Sequence, residues 1–396
     1  MEWIDCNIER LLGEHVMNPL FSIITPVYNN RAIIEMAIAS VEEQDFEDYE
    51  YIIVDDGSND GTSAIVDEYA NIDNRVRVIH QNNKWIYASF NVGIKHARGE
   101  YIFILNSDDR LKKGVLKKTA SILQKYTPDI VLGKYEIIKP FKNNVEQVKI
   151  VGLDYGVDLY LATKSDFQGK WIDLYRERRL FSQTHFYKRD VIKGIEFEED
   201  TYLADRYFNI DIADRIKSAY IINEPIYEYY VHSDGSNAAL KYYSYAHDGL
   251  NKVFIKSKQL LNKWNLDTKP NLTILAQVRL YDLTIELKRL IYGTNKLNID
   301  DKISKILSDT NDLIMHECIE LIDDKEQLEA RVLNALRDLF MNERINNESM
   351  YYFIYLMLES LLRYEKTEED YNNIRDGVYN KLNPNNIGKS FWEKLN

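Results

Sequence analysis

Residues Tyr101–Leu105, with the sequence YIFIL, run directly into Asn106–Asp109, with the sequence NSDD, and this is the most informative part of the sequence. An apolar strand of this kind is typical of a parallel sheet, and the two carboxylates that follow it are suited to hold a divalent metal. The same pattern occurs earlier, where Tyr51–Val54 is followed by Asp55–Ser58. Two acidic strand ends predict one site at the carboxyl edge of one sheet.

Strands and helices alternate along the segment that surrounds these two stretches. Pro26 is expected to end the first strand, and Gly99 is expected to cap the third helix. Such alternation predicts an α/β fold, with a mostly parallel sheet and helices on both faces. The predicted strands are Phe21–Thr25, Tyr51–Val54, Val76–His80 and Tyr101–Leu105, and the predicted helices are Ile33–Glu43, Thr62–Ala70 and Ala88–Ala97.

The chain has 396 residues, which is longer than one average domain, and its pattern changes twice. Residues 1–18 are predicted to form a docked helix, and residues 19–238 the α/β domain. Residues 239–396 are predicted to form a separate α-helical domain, because apolar residues recur there at helical spacing and glycine and proline are sparse. The predicted helices of that domain are Tyr243–Trp264, Leu272–Tyr292, Asp300–Ser308, Asp312–Ile322, Lys325–Asn342, Ser349–Tyr364 and Asp370–Lys381.

Composition excludes several classes of protein. The formal net charge of −13 argues against a nucleic-acid partner, since binding there depends on neutralising phosphates. Cys6 and Cys318 have no metal-ligand spacing, so neither a zinc site nor a disulfide framework is predicted. No signal peptide is recognisable, and no apolar run approaches the roughly 18 residues of a membrane span. We expect a cytoplasmic protein, and contact with the inner face of a membrane stays open.

Several motifs, in matching order and spacing, resemble the family 2 glycosyltransferases. Two later segments, Asp129–Tyr135 and Glu228–Tyr230, look closest to the wall teichoic acid and capsule glycosyltransferases of that family. The resemblance implies a GT-A fold, which is Rossmann-like, a nucleotide-sugar donor, a divalent metal, and inversion at the anomeric carbon. The motifs that carry it are Phe21–Asn29, Val54–Thr62, Asn91–Ile94, Gly99–Ile102 and Asn106–Asp109.

The metal is expected to be Mn²⁺ or Mg²⁺, bound by oxygen ligands. Hard cations prefer carboxylates, and Asp108 is the best candidate by both its chemistry and the resemblance. By resemblance, a histidine near His232 often completes the metal shell or binds the diphosphate, and Asp234 is an alternative. Asn106 departs from the family, which usually has a carboxylate there, so the metal affinity is expected to be weaker.

The resemblance also implies the residues that bind a UDP-sugar donor. Pro26 and Tyr28 match the nucleoside-binding loop, and Asp56 matches the carboxylate that accepts a hydrogen bond from the uracil imide N–H. The alternative for this region is capping of the helix from Thr62 by Ser58 or Asp60. The other expected donor contacts are Asn82, Asn106 and Ser107.

Two departures stand beside the expected donor site. Lys84 and Trp85 occupy positions where small residues are common in the family, and Phe90 occupies the position of an arginine that usually contacts the phosphates. The loss of this arginine removes a cation from the site. Lys84 could replace that charge, although a free surface lysine is the simpler interpretation.

Inversion is a single displacement and needs one general base to take the proton of the acceptor hydroxyl. In the family this base is the Asp of a Glu-Asp pair before an aromatic helix. Asp205 matches it because Tyr207, Phe208 and Asn209 follow at the family spacing, although Ala204 replaces the Glu. The alternative is the upstream pair Glu199–Asp200.

We therefore predict transfer of a hexose or N-acetylhexosamine to a glycan, polyol-phosphate polymer or lipid-linked acceptor. The alternative is a degenerate, non-catalytic nucleotide-sugar-binding or assembly module, which the three departures Asn106, Ala204 and Phe90 motivate. The helical domain could bind acceptor, a partner or a second copy of the chain. Basic clusters, which solvated faces usually explain, could contact an anionic acceptor; they are Lys112–Lys113, Lys117–Lys118, Arg176–Arg179 and Lys188–Arg189.

Overall fold

The structure is a computed structural model that describes a large part of the chain. The described residues are 18–140, 146–177, 181–199, 201, 203–232, 241–292, 297, 301, 305, 308–309 and 312–322. The predicted amino-terminal helix, apart from residue 18, lies outside them, as do the three predicted helices after residue 323 and most of 300–308. Arg178, Arg179, Asp200 and Asp234 also lie outside the described residues.

The chain divides into two compact units. The first comprises Met1–Asp200 and Ala204–Asp234 and contains the described strands. The second comprises Thr201–Leu203 and Gly235–Asn396, and its described elements are helices. The domain boundaries at residues 18 and 238 stay predictions.

One ten-stranded sheet forms the centre of the first unit. The described strands are β1 (Phe21–Val27), β2 (Tyr49–Asp55), β3 (Val76–His80), β4 (Tyr101–Ile104), β5 (Arg110–Leu111), β6 (Ile130–Pro140), β7 (Glu146–Val151), β8 (Leu159–Leu161), β9 (His185–Lys188) and β10 (Ala219–Tyr230). Their order in the sheet is β3-β2-β1-β4-β9-β6-β10-β5, with β7 beside β6 and β8 beside β10.

The first four strands are parallel, as predicted. β1 pairs with β2 and β4, and β2 pairs with β3. Every residue of β1, β2 and β4 is buried, as central parallel strands require. Beyond β4 the sheet becomes mixed, because β9 lies antiparallel between β4 and β6. The predicted α/β class is confirmed. Among the described strands, the parallel pairs are β1 with β2, β1 with β4, β2 with β3, and β6 with β10.

Helices cover both faces of this sheet. Ile23 belongs to an apolar cluster with Ile38 and Leu116, whereas a Cβ built on Gly93 would lie 2.3 Å from Cγ2 of Ile24. Successive strand residues point to opposite faces, so α3 covers the face opposite to α1 and α4. The helices of this unit are α1 (Ile34–Glu42), α2 (Thr62–Ile72), α3 (Trp85–His96), α4 (Val115–Tyr126), α5 (Lys164–Arg176), α6 (Arg189–Ile192) and α7 (Ala204–Ala213).

Pro26 does not end β1, so that prediction is wrong. The strand continues to Val27, and Pro26 pairs with Val54 of β2. The pairing of β1 with β4 extends only to Ile24, so Pro26 has a strand neighbour on one side alone. A proline without an N–H is tolerated in such a position because the open side has no ladder hydrogen bond to lose.

Gly99 does not cap α3, and that prediction is also wrong. The helix ends at His96, and its C-cap residue Ala97 is extended, with φ −68° and ψ 133°. A Cβ on Gly99 would lie 2.4 Å from the backbone nitrogen of Ser22. The Gly99 N–H donates instead to Oγ of Ser22 at 2.8 Å. Glycine is needed here because the chain passes directly against β1.

The described part of the second unit contains α8 (Ala246–Lys263), α9 (Lys269–Tyr292) and α10 (Leu313–Glu320). α9 packs against both α8 and α10. Asp312 caps α10, because its side chain accepts a hydrogen bond from the Met315 N–H at 2.7 Å. None of the described helices combines the length and the apolar character that crossing a bilayer requires.

Candidate functional site

The carboxyl ends of β1, β2 and β4 lie at the same edge of the sheet, and the loops that follow them are joined. The Asn29 N–H donates to Oγ of Ser58 at 2.9 Å, and the Asn59 N–H donates to Oδ1 of Asn29 at 2.8 Å. The Asn30 amide donates to Oγ of Ser107 at 2.9 Å. Hydrogen bonds therefore tie the loops after all three strands into one framework.

Asp55, at the end of β2, organises this framework rather than facing a ligand. Its carboxylate accepts hydrogen bonds from the Ser58 N–H at 3.1 Å and from Oγ of Ser63 at 2.6 Å. Nδ1 of His80 lies 2.8 Å from it. Burial raises the pKa of Asp55, but these hydrogen bonds outweigh burial and lower the pKa overall. Asp55 therefore stays ionised as a structural acceptor.

Asp56 lies next to it, is 3% exposed, and holds the segment after β3. Its Oδ1 accepts from Nε2 of Gln81 at 2.6 Å and from the Lys84 N–H at 2.8 Å, and its Oδ2 accepts from the Trp85 N–H at 2.8 Å. A carboxylate offers about four acceptor positions, and these three donors occupy three of them. The alternative interpretation placed a helix cap at Ser58 or Asp60, whereas Asp56 itself accepts from the N–H groups at the start of α3.

The helix from Thr62 is capped more weakly. Its N-cap residue is Gly61, which has no side chain to accept a hydrogen bond. Oδ1 of Asp60 accepts from the Thr62 N–H at 3.0 Å, whereas the Ser58 hydroxyl is used by Asn29. Asp60 therefore accepts the hydrogen bond at the start of α2, whereas Asp56, the residue expected to contact the base, accepts those at the start of α3.

Trp85 has an unusual backbone conformation at the start of α3. Its φ is +70°, a left-handed value that costs a non-glycine residue about 1–2 kcal/mol. Gly57 packs closely against the segment that precedes Trp85, since a Cβ at Gly57 would lie 3.1 Å from the Asn83 backbone nitrogen. Gly57 therefore lets the chain's own backbone approach closely.

The expected nucleoside contacts differ in accessibility. Pro26 is buried inside β1, whereas Tyr28, just beyond the strand, is 50% exposed. Asn82 is exposed on the loop after β3, and Lys84 is exposed next to it. Tyr28 and Asn82 are therefore open to a ligand, and Pro26 acts through the backbone path that it imposes.

Asn106–Asp109 and His232 form what we call the acidic corner. Oδ2 of Asp108 lies 3.2 Å from Nε2 of His232, although 124 positions separate them in the chain. Both side chains are partly exposed. A carboxylate and an imidazole together fit Mn²⁺ or Mg²⁺, whose remaining positions water and phosphate oxygens usually fill. The structure thus brings together the two residues that were predicted to bind the metal.

Asp109 anchors the acidic corner to β10. It is fully buried and accepts hydrogen bonds from the Tyr227 hydroxyl at 2.6 Å, the Tyr230 N–H at 2.9 Å and the Asn106 amide at 3.0 Å. Burial raises the pKa of Asp109, and the neighbouring charge of Asp108 raises it further. Its three donors hold the turn so that Asp108 remains at the surface.

The departure at Asn106 has a structural explanation. Nδ2 of Asn106 donates to Asp109, and Oδ1 of Asn106 accepts from the Gln183 amide at 3.4 Å. An aspartate at position 106 could not donate, and it would place a second carboxylate against buried Asp109. Asn106 therefore stabilises the acidic corner in a way that the usual carboxylate could not.

Asp205 lies in the first turn of α7 and is 7% exposed. Among the described residues, its Oδ1 has no hydrogen-bond partner. Burial raises the pKa of Asp205 to about 6, while the charge of Arg206 and a hydrogen bond with the Tyr87 side chain limit the rise. A buried carboxylate with one unused oxygen and a pKa near neutrality has the properties of a general base.

Hydrogen bonds link α7 to the acidic corner. Nδ2 of Asn209 donates to the Asp205 carbonyl oxygen at 2.8 Å and to Oγ of Ser182 at 3.3 Å. The next residue, Gln183, donates to Asn106. Asp205 and the acidic corner are therefore positioned through one shared segment at residues 182–183.

Phe90, which replaces the expected arginine, is completely buried. Its ring lies 5.2 Å from that of Phe197 and 6.1 Å from that of Tyr87. Tyr87 and Phe197 are stacked at 5.9 Å, and Phe197 stacks on Phe208 at 4.1 Å. Phe90 therefore belongs to the aromatic packing that supports Tyr87 beside Asp205. Ala204 is likewise fully buried, so a glutamate there would bury a charge.

The alternative base and the basic clusters have other partners. Oε1 of Glu199 is exposed and accepts from the Asn91 amide at 3.3 Å. Ion pairs join Lys112 to Glu136, Lys117 to Asp45, Lys118 to Glu224, Arg176 to Asp173, and Lys188 to Glu100. These contacts describe an ion-paired surface, which is what such clusters usually form.

A second group of potential metal ligands lies in the helical unit, where atoms of His247, Glu286 and Asp309 lie within 4.8 Å of one another. Arg279 donates to Glu286 at 2.7 Å, and Lys305 contacts Asp309 at 2.8 Å. Burial lowers the pKa of His247, but its carboxylate partners raise the pKa to about 9. The carboxylates of this cluster are thus already paired with the cationic side chains of Arg279 and Lys305, and the cluster forms a buried ion network.

The sequence did not point to Tyr87, and it presented Asp109 only as one of two carboxylates suited to a metal. In the structure Asp109 is buried and hydrogen-bonded to Tyr227, which lies 118 positions away. Tyr87 carried no signal, because its contact with Asp205 joins two distant parts of the chain. The role of Asp109 depends on its contact with β10, and the role of Tyr87 depends on its contact with α7.

Comparison with known proteins agrees with this geometry. Residues 22–193 match the model of glycosyl transferase family 2. Glycosyltransferase GlyG of Streptococcus pneumoniae is 38% identical over 120 residues, which are 30% of this chain and 40% of GlyG. Poly(ribitol-phosphate) β-N-acetylglucosaminyltransferase TarS of Staphylococcus aureus is 34% identical over 117 residues, which are 29% of this chain and 20% of TarS. The chain thus spans less than two thirds of the length of these relatives.

The fold has a counterpart among solved structures. The crystal structure of S. aureus TarS 1–349 in complex with UDP-GlcNAc matches with a TM-score of 0.55 at 18% identity, covering 91% of this chain and 92% of that chain. The GT-A fold that the sequence resemblance implied is therefore confirmed, together with a helical region after it. Residues 22–193 of this protein are a glycosyl transferase family 2 domain.

Proposed function

We propose that the protein is an inverting, metal-dependent glycosyltransferase that moves a sugar from a UDP-sugar to an acceptor hydroxyl. The observation that carries the proposal is Asp205, a buried carboxylate whose Oδ1 is unpartnered among the described residues. The domain family and the pairing of Asp108 with His232 support the same reading. We further propose that residues 19–238 are the catalytic domain and that residues 239–396 are a separate helical domain.

In this mechanism Asp205 accepts the proton of the acceptor hydroxyl. The acceptor oxygen then forms the new bond to the anomeric carbon from the face opposite the diphosphate. The bond from that carbon to the phosphate oxygen breaks, and its electron pair leaves with UDP. No general acid is required, because a neutralised diphosphate is a good leaving group. Inversion follows because only one displacement takes place.

Asp108 and His232 would hold the divalent cation in the proposed site. When bound, the cation would neutralise the charge that develops on the diphosphate, acting as a Lewis acid. Asp109 and Asn106 hold the turn that presents Asp108. The absence of a carboxylate at position 106 leaves a smaller ligand set, so the metal is expected to bind more weakly than in a site with two carboxylates.

The UDP part of the donor would lie between the loops after β1, β2 and β3. Asp56 would accept a hydrogen bond from the uracil N–H, and Tyr28 and Asn82 are exposed. Ser107 and Asn106 would contact the ribose. TarS was solved with UDP-GlcNAc, which supports a donor of this class.

The acceptor would be a cell-surface glycan, a polyol-phosphate polymer or a lipid-linked glycan. The name of TarS, a poly(ribitol-phosphate) β-N-acetylglucosaminyltransferase, supports the polymer. Lys112 and Lys117 of the basic clusters are paired with carboxylates, so an anionic acceptor would have to compete for them. Assembly into oligomers through the helical domain stays part of the proposal.

The test is donor turnover with a panel of nucleotide sugars, in the presence of Mn²⁺ and again with EDTA. We expect release of UDP from one UDP-sugar, dependent on the cation and increased by a matching acceptor. UDP binding by calorimetry without turnover on any acceptor would favour the non-catalytic alternative, which Asn106, Ala204 and Phe90 motivated. The structural roles found for these three residues weaken that alternative.

Replacing Asp108 by asparagine should raise the Mn²⁺ concentration needed for half-maximal turnover by at least about tenfold, because a neutral amide is a poor ligand for a hard cation. The measurement is initial rate against Mn²⁺ concentration at saturating donor. Asp48→Asn is the matched control, since this exposed aspartate directly precedes β2 and so lies at the edge of the sheet opposite to the acidic corner. An unchanged Mn²⁺ requirement in Asp108→Asn would remove Asp108 from the metal site.

The rate of transfer should fall as the pH decreases through about 6. Asp205 must be ionised to accept a proton, and burial raises its pKa to about 6, so a growing fraction is protonated below that value. The measurement is kcat/KM for the acceptor between pH 5 and 8 at saturating Mn²⁺. A rate that stays constant down to pH 5 would contradict the assignment of Asp205 as the base.

A further inference from the structure

Trp85 combines two features that do not benefit the fold. Its backbone is in the left-handed region, with φ +70°, and its side chain is 74% exposed. Glycine would adopt this conformation without strain, and a tryptophan normally buries most of its large surface. The residue therefore contributes neither favourable backbone geometry nor core packing, and its indole is left for another partner.

The segment around Trp85 is held rigidly. Asp56 accepts hydrogen bonds from the N–H groups of both Lys84 and Trp85 at 2.8 Å. Gln81, at the start of the segment, donates to Asp56 at 2.6 Å and to Ser89 at 3.1 Å. These contacts fix the backbone that presents the indole. An exposed aromatic ring that is carried on a fixed backbone can bind a ligand at a smaller cost in conformational entropy.

Two exposed aromatic residues flank Asp56. The Asp56 N–H donates to the carbonyl oxygen of Val27 at 2.9 Å, and Tyr28 is the next residue after Val27. On its other side, the Asp56 carboxylate binds the Trp85 N–H. Tyr28 is 50% exposed. A planar group hydrogen-bonded to Asp56 would therefore lie near both chain positions, 28 and 85, that carry exposed aromatic side chains.

We propose that Trp85 is a base-binding residue whose indole stacks on the planar base of a nucleoside diphosphate held at Asp56. This inference rests on the proposed function, since the same carboxylate is assigned to the base. It adds a contact that the small residues common at this position could not make. Trp85 would strengthen nucleotide binding at a cost in folding stability, because the strained backbone is kept for the sake of the side chain.

The experiment compares the wild-type chain with Trp85→Gly and Trp85→Phe by calorimetry with UDP and by thermal unfolding. Stacking of a base on an aromatic residue predicts that Trp85→Gly weakens UDP binding roughly ten- to a hundredfold. The same substitution should raise Tm, since it relieves the left-handed strain. Trp85→Phe keeps a ring and should lose less affinity. Loss of affinity together with a gain in Tm would not result from a merely structural role.

Two controls separate the possible outcomes. Pyrophosphate with Mn²⁺ has no base, so wild type and Trp85→Gly should bind it equally. Ile86, which is adjacent and 44% exposed, serves as the matched position, and Ile86→Ala should bind UDP as the wild type does. UDP binding that is unchanged in Trp85→Gly would overturn this inference alone. Failure of the wild type to bind any nucleoside diphosphate would overturn the proposed function together with it.

Discussion

Asp205→Asn is expected to lower the rate of sugar transfer by about 10²- to 10⁴-fold while leaving UDP binding unchanged. A general base contributes a factor of this size, and an amide of nearly the same shape cannot take the acceptor proton. Oδ1 of Asp205 is buried and has no partner among the described residues, so the substitution breaks no hydrogen bond at that atom. The measurement is kcat with the best donor and acceptor, alongside UDP affinity by calorimetry.

Asp211→Asn is the matched control, because this residue is exposed on the same helix, and its variant should keep the wild-type rate. Stability should not fall in Asp205→Asn. Burial raises the pKa of Asp205, so the ionised carboxylate is unfavourable in the folded chain at neutral pH. Glu199→Gln tests the alternative base. A large loss of rate in Glu199→Gln with wild-type activity in Asp205→Asn would reverse the assignment.

Glu50→Ala is expected to produce a large loss of stability, about 3 kcal/mol in the free energy of unfolding. Glu50 is 2% exposed and joins three parts of the first unit. Its carboxylate accepts from Oγ of Ser22 at 2.7 Å, from Nη1 of Arg77 at 2.7 Å, and from the Arg98 N–H at 2.6 Å. Alanine would leave the buried Ser22 hydroxyl and the Arg98 N–H without this acceptor.

The measurement is urea unfolding at several pH values. Burial raises the pKa of Glu50, but its hydrogen bonds outweigh burial and lower the pKa below the ordinary value of 4.5. The stability that Glu50 contributes is therefore present above pH 4.5 and is lost as the pH falls further. The difference between wild type and Glu50→Ala should shrink accordingly.

Glu47→Ala is the control for Glu50, because Glu47 is only three residues away and its side chain is 87% exposed in its ion pair with Arg75. A surface pair of this kind is worth less than about 1 kcal/mol. If Glu47→Ala and Glu50→Ala lost similar stability, the carboxylate network around Glu50 would not be what holds β1, β2 and the chain after α3 together.

The elements of the first unit could be predicted because their signals are local. β3 has the predicted bounds, and Ile34, Ala37, Ile38 and Val41, which were predicted to share one helix face, are all buried on α1. The two errors, Pro26 and Gly99, concern residues whose role depends on a neighbouring strand. Neither the end of the β1–β4 pairing nor the close passage over Ser22 can be read from local sequence.

The candidate site was predictable where a motif carries the chemistry. Asp108 and His232 lie 3.2 Å apart, although only the motif context connected them in the sequence. The supporting residues were not predictable in the same way. Asn106 looked like a loss of a ligand and is instead a donor to Asp109, and Phe90 looked like a loss of charge and is instead core packing beside Tyr87.

The α/β class, the acidic strand ends and the residues that match family motifs could be inferred from the sequence, because strand periodicity, turn residues and motif spacing are properties of neighbouring positions. Which carboxylates are free to act depends on tertiary contacts. Asp55, Asp56 and Asp109 are alike in sequence but are held by different hydrogen-bond donors. Asp205 is buried as they are, but it differs in having an oxygen without a partner among the described residues, and that arises from packing between distant segments, which no local pattern encodes.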